Sequence, residues 1–209
     1  MTFSLDSVRI VGHRRTRRGA LGTMDTLLSI TAGALFLIGS ITIFNKAMSK
    51  TAERTMANQA TIIVQSVRSF YQNQASYGDA TVDWASGDAS QPTMTAFDMT
   101  PVLVKSKQLL NEMNNGTGLR NAFGGSWVVN GMLDGFAITA TNIPVENCSA
   151  ILATLNTSDL RQMRVVSGTA GNACIEGGTS ACPATPVGIT NACAAGVAGG
   201  VTTIRLVYR

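Results

Sequence analysis

The sequence predicts an α+β fold: one long N-terminal α-helix, its apolar half protruding, packed on an antiparallel β-sheet with a disulfide-closed C-terminal region. Three observations predict it. From Leu27 to Phe44 the chain reads LLSITAGALFLIGSITIF, with no charge and no proline. Apolar residues then recur at spacings of three and four, from Ala52 through Met56, Ala60, Ile63, Val64 and Val67 to Tyr71. Beyond residue 126, short β-prone runs alternate with turns, and Cys148, Cys174, Cys182 and Cys193 all lie there.

The first 20 residues carry the charge asymmetry. Arg9, Arg14, Arg15, Arg17 and Arg18 face a single acid, Asp6. Without this leader, Lys+Arg falls from 16 to 11 and Asp+Glu from 12 to 11, so the rest of the chain is neutral. A nucleic-acid partner read from the net charge of +4 would therefore describe the leader and not the domain, and none is expected. The arginines act instead as an orientation signal that keeps the N-terminus cytoplasmic.

The apolar run that follows spans roughly 27 Å as a helix, just enough for a bilayer core. It exceeds the core of an ordinary secretory signal, and no small-residue cleavage site follows it. Gly33, Gly39, Ser29, Ser40, Thr31 and Thr42 within it permit close approach of other helices. One residue resists the reading of a passive anchor. Asp25 stands at the entrance of the run, where an unpaired carboxylate costs several kcal/mol and the helix dipole recovers only about 0.3–1 kcal/mol. The next cation downstream is Lys46, about 31 Å away along the helix. Proteolysis just before Leu21 creates a nearer one, a free α-amine four residues from Asp25, available within one subunit or from a neighbour.

A short basic leader, a small residue, LGTMD and an apolar helix together resemble a class III, prepilin-type signal. NAFGGSW at 121–127, GFAITATNI, VENCSAILATL and a terminal NAC…VTTIRLVYR extend the resemblance over nearly the whole chain, to the type IVb pilins, especially the thin-pilus pilins of conjugative plasmids and enteric pathogens. The resemblance implies the pilin-like ladle or αβ-roll fold. It also implies removal of the leader by a prepilin peptidase, methylation of the new amine, and assembly from the inner membrane into a surface filament. Cutting between Ala20 and Leu21 makes Asp25 the fifth mature residue, matching the acid the family places there, but puts Ala20 where the family has glycine. Cutting between Gly19 and Ala20 keeps the glycine and makes Asp25 the sixth; cutting after Gly22 makes it the third. Ala20–Leu21 is the preferred site, with N-methylation on Leu21, and Gly19–Ala20 the alternative, with methylation on Ala20.

The expected divisions are a removed leader at 1–20, a membrane and filament-core half-helix at 21–47, and a globular head at 48–209. Within the head, the amphipathic half-helix runs to about residue 77, where Gly78-Asp79 is the first stop signal. Turn-rich, acidic residues 78–97 read as a surface loop. FDMTPVLVKSKQLLNEM fits a short helix capped near Asp98 or Thr100, with Pro101 in its first turn, completing a loop-and-helix region at 78–125. GTGLRNAFGG lacks the Lys-Ser/Thr of a phosphate-binding loop and reads as a connection. The sheet and disulfide region at 126–209 holds strands near 126–130 and 135–142, a helix from Pro144 to about Leu155, a further helical turn at Thr157–Met163, and strands at RVVSG and VTTIRLVYR.

A head delivered to the periplasm meets an oxidising compartment, so disulfides are expected, and four cysteines allow three pairings. The resemblance implies Cys148–Cys193, as the long C-terminal clasp of the family, together with Cys174–Cys182. Loop closure gives upper estimates of about 4 kcal/mol and about 2.6 kcal/mol respectively. Zinc is disfavoured because no Cys-x-x-Cys occurs and the single histidine, His13, lies in the leader. For the same reason no triad or ligand cluster forms, so neither an enzyme nor a cofactor is expected. The reading is a major type IVb pilin. Its partners are copies of itself, the peptidase, the assembly machinery and the inner membrane, and its destination is an extracellular pilus serving adhesion, aggregation or mating contact. A minor or tip pilin, a secretion-system pseudopilin and a signal-anchored periplasmic protein are the rivals.

Overall fold

The computed structural model describes residues 21–78, 97–166, 171–177, 180–195 and 199–209, with side chains from residue 26. The leader at 1–20 and most of the loop expected at 78–97 lie outside the described residues. The chain divides into two units between Lys46 and Ala47. Helix α1 (Leu21–Tyr71) supplies the described part of the first unit and opens the second.

The second unit is built on a six-stranded antiparallel sheet. In chain order its elements are α2 (Thr100–Ser106), β1 (Leu119–Arg120), β2 (Ser126–Gly131), β3 (Phe136–Pro144), α3 (Val145–Thr154), β4 (Leu160–Val165), β5 (Gly171–Ile175), α4 (Pro186–Ala195) and β6 (Val201–Tyr208). The spatial order is β1-β2-β3-β6-β4-β5, which puts the last strand of the chain between β3 and β4. Alternation along the strands turns Ile138 and Ala140 of β3, Ile204, Leu206 and Tyr208 of β6, and Met163 and Val165 of β4 into one core. The buried stripe of α1, Met56, Ala60, Ile63 and Val67, belongs to that same core. The expected α+β architecture, a long N-terminal helix packed on an antiparallel sheet with disulfides in the C-terminal region, is the observed one.

Local chemistry sets the ends of the short elements. Pro101 occupies the first turn of α2, and the Asp98 carboxylate accepts the Thr100 amide at 2.9 Å. The Thr100 hydroxyl in turn accepts the Val129 amide at 3.0 Å and ties α2 to β2. Gly131 closes β2 where only a hydrogen fits, because a Cβ there would stand 1.7 Å from the Tyr77 carbonyl oxygen.

Several expectations need correction: the helix read over FDMTPVLVKSKQLLNEM ends at Ser106, where Lys107 turns left-handed, and the connection read at GTGLRNAFGG holds β1. Helix α1 ends at Tyr71 and not near residue 77: the Gln74 amide turns back to the Tyr71 carbonyl, and the Tyr77 amide donates to the Met132 carbonyl at 2.9 Å. The helical turn expected at Thr157–Met163 is instead the start of β4, so the strand read at RVVSG begins earlier, at Leu160. A register shift between Leu160 and Gln162 breaks the alternation that would have marked it. Finally, β5 and α4 carry no clear sequence signal, and neither was expected.

Candidate functional site: the long helix and what holds it

Between Thr26 and Lys46, α1 is apolar and uncovered. Leu28, Phe36, Ile43 and Phe44 are each more than 60% exposed, and nothing lies within 4 Å of where a side chain at Gly33 or Gly39 would begin. A patch of this kind is expensive in water. The polar residues in the run bond to their own helix. The Thr31 hydroxyl donates to the Leu27 and Leu28 carbonyls at 3.0 Å, Ser40 to Phe36 at 2.8 Å, and Thr42 to Gly39 at 2.8 Å. Those hydroxyls therefore need no water, which suits hydrocarbon. By length and composition this is the one helix among the described residues able to cross a membrane.

Leu21 is the first described residue of α1, and Asp25 is the fifth. Ala20 and Gly19, the other residues of the two cleavage readings, lie outside the described residues, and the Asp25 side chain does as well.

In the second unit the helix turns its polar groups toward other elements. The Trp127 indole donates to Gln59 Oε1 at 3.2 Å across the core. The Asn147 amide on α3, only 3% exposed, donates to the Ser49 hydroxyl at 2.6 Å and to Glu53 Oε1 at 2.5 Å. Arg68 pairs with Asp159 beside the start of β4. Burial pushes the Asp159 carboxyl upward. Hydrogen bonds from Thr157, Arg68 and its own backbone, with the Arg68 charge, outweigh that and hold it below the usual carboxylate value.

The sheet end near Asp159 is laced by further ion pairs. Arg161 meets Asp134 in the β2–β3 turn and, at 3.3 Å, Glu176 after β5, which also meets Arg209. Tyr71, Tyr77, Phe136 and Tyr208 form an aromatic row with centroids 5.3–5.7 Å apart. Burial raises the Tyr71 and Tyr208 phenols above their ordinary value, and lowers the Arg205 guanidinium, which also feels Arg164 on the neighbouring strand.

Cys148 on α3 is joined to Cys193 on α4, and Cys174 on β5 to Cys182, with Cα separations of 6.0 and 5.0 Å. The first fastens the two outer helices together just before β6 enters the sheet. Among the described residues, no three His, Cys, Asp or Glu side chains gather as a metal site. The described carboxylates with ion partners, Asp134, Asp159 and Glu176, are held by structural arginines.

Sequence reading located the cysteines and the α1 stripe. It missed the Asn147 clasp and the Arg68–Asp159 pair, whose members lie 94 to 98 and 91 residues apart along the chain. No local pattern announces such a pair.

No protein-family model matches the chain, and no curated protein matches it in sequence. Among solved structures, it is similar to the crystal structure of a type IV b pilin from Salmonella typhi. The two are 18% identical with a TM-score of 0.46, over 74% of this chain and 97% of that one.

Proposed function

We propose that the chain is the major subunit of a type IVb pilus, a structural protein and not an enzyme. The observation that carries this is the division along α1. One half is bare and apolar, with the Thr31, Ser40 and Thr42 hydroxyls bonded to its own carbonyls; the other buries Met56, Ala60, Ile63 and Val67 in the core of a disulfide-bonded head. The signal-like start of the sequence, with Asp25 at the head of the apolar run, supplies the second support.

In this reading a prepilin peptidase cuts at Ala20–Leu21 or Gly19–Ala20 and the new amine is methylated. The subunit waits in the inner membrane with its head in the periplasm. Assembly machinery then moves it into a helical filament, where the bare half-helices bundle and the amine–Asp25 pair fixes their register. The heads form the shell that meets other cells in adhesion, aggregation or conjugative contact.

Mass spectrometry of the mature N-terminus, with electron microscopy of sheared surface material, tests the proposal. A methylated Leu21 or Ala20 in abundant filaments is the expected result. An intact Met1 would identify a plain anchor, and a methylated subunit present only sparsely in filaments of another protein would identify a minor pilin.

A further inference from the structure

The geometry points to a heterologous contact between copies of this chain in which the Leu110–Glu112 knuckle of one copy seats in the groove between α1 and α3 of the next, its carboxylate against Lys50 and Arg54. This rests on the filament reading and names the surfaces that reading leaves open.

Two grooves flank α1 in the second unit. One, of about 410 Å³, lies between α1 and α3 and is lined by Lys50, Arg54, Ala57, Asn58, Ala150 and Thr154, with Glu53 at its wall. The Glu53 carboxylate accepts from the neutral Asn147 amide and keeps its charge, so two cations stand against one anion in this groove. Lys50 and Arg54 are exposed and join no ion pair among the described residues, so this groove has a basic rim over a floor of small side chains. The other groove, of about 310 Å³, is lined by Thr55, Asn58, Thr61, Ile62, Leu110 and Glu112. Asn58 lines both, so α1 is the ridge between them.

The far lip of the second groove has the complementary chemistry. Leu110 is 40% exposed and Glu112 is exposed and in no ion pair among the described residues, on a single 3-10 turn (Asn111–Met113). Leu109 and Met113, on either side, are buried and hold that turn in place. It presents an apolar side chain and a carboxylate two residues apart, which suits a groove with a small-residue floor and a cationic rim. Because each copy carries the knuckle on one flank of α1 and the basic groove on the other, the contact is not self-complementary. Repeated, it propagates from copy to copy, as a helical polymer requires. Charge complementarity also fixes polarity, since like flanks repel.

The experiment treats intact surface filaments of the full chain with a zero-length carbodiimide, which joins an amine to a carboxylate with loss of water. The expected result is a ladder of covalent oligomers containing a Lys50–Glu112 linked peptide, absent from Lys50→Gln and Glu112→Gln filaments. Glu112→Arg, and separately the pair Lys50→Glu with Arg54→Glu, should each lower filament yield at least fivefold while intact disulfides report folded heads. All three changes together should restore it. If wild-type cells make no filaments, the filament reading fails and takes this contact with it. Abundant wild-type filaments whose covalent oligomers contain no Lys50–Glu112 linked peptide, or undiminished yield from Glu112→Arg, overturn the contact alone.

Discussion

Removing residues from the N-terminal end should divide the chain's behaviour at two points. A chain beginning at residue 48 loses the bare apolar half of α1 but keeps Ser49, Glu53 and every buried residue of the stripe. A chain beginning at residue 78 loses Met56, Ile63 and Val67, each fully buried, along with Ala60 and the partly buried Phe70 and Tyr71. Fully burying one such large side chain contributes about 1.5–3 kcal/mol. Met56, Ile63 and Val67 alone amount to roughly 5–9 kcal/mol, comparable with the whole net stability of a domain, about 5–15 kcal/mol. Trp127 would also lose the Gln59 oxygen its indole donates to and the helix that covers it. Residues 48–209, exported to an oxidising compartment, should therefore elute as a monomer and melt cooperatively, without forming filaments. Residues 78–209 should aggregate. Ile63→Ala in the longer chain is a graded version and should cost about 2–5 kcal/mol by denaturant titration. Size-exclusion chromatography and circular dichroism provide the measurement. A well-behaved, cooperatively melting monomer from residues 78–209 would refute the packing assigned to α1.

Asp25→Ala should leave leader removal intact but abolish filaments, with partial recovery when wild-type subunits are co-expressed; leader cleavage and sheared-filament yield are read from the same cells. Cys193→Ser should destabilise the head more than Cys182→Ser, since loop closure assigns about 4 kcal/mol to the longer link and about 2.6 kcal/mol to the shorter. Non-reducing peptide mapping checks the connectivity, and a 148–174 or 148–182 link would contradict it. The Asp159 carboxyl titrates lower in the folded head than in the unfolded chain, so its contribution is present above the unfolded value of about 4 and is lost as pH falls through the folded one. Both partners are about a third or more exposed, so screening limits that contribution to about 1 kcal/mol or less. Asp159→Asn should make urea stability flatter between pH 5 and pH 3 than in wild type, while a steeper acid limb would show that the pair is not the source.

The sequence made the long helix legible because two periodic signals run end to end, an uninterrupted apolar run and then a stripe spaced by three and four. It also exposed α2 through Pro101, β2 and β3 through their alternation, α3 through Pro144, and β6 through VTTIRLVYR. What stayed hidden is held by tertiary constraint. In β4, LRQMRV sets Arg161 and Gln162 beside each other across a register shift, and Gln162 is fully buried, so polarity misreports its position. In α4, PVGITNACAA contains glycine, threonine and asparagine, all poor helix formers. The helix is held by Cys193 and by close packing, since a Cβ at Gly188 would stand 2.8 Å from the Ala173 carbonyl oxygen. The apolar half-helix was legible as a membrane candidate, whereas the Asn147 clasp depended on contacts from distant sequence.

The two halves of α1 treat hydrogen bonding differently, and that difference carries the functional argument furthest. Thr31, Ser40 and Thr42 spend their hydroxyls on carbonyls three or four residues back, so these groups ask nothing of their surroundings. Lipid and a neighbouring helix are then nearly equivalent environments, and exchanging one for the other breaks no hydrogen bond of those hydroxyls. Past Lys46 the inward-facing groups reverse the habit: Ser49 and Glu53 accept from Asn147, Gln59 accepts from Trp127, and Arg68 meets Asp159. Those bonds specify one partner surface and would be lost if the head let go. The first half is thus chemically free to change environment, and the second is fixed to its own head. A helix that moves from membrane to filament without unfolding its domain needs both properties. Since the Thr31, Ser40 and Thr42 hydroxyls specify no partner, the proposed filament would have to take its register from Asp25 and from contacts between heads.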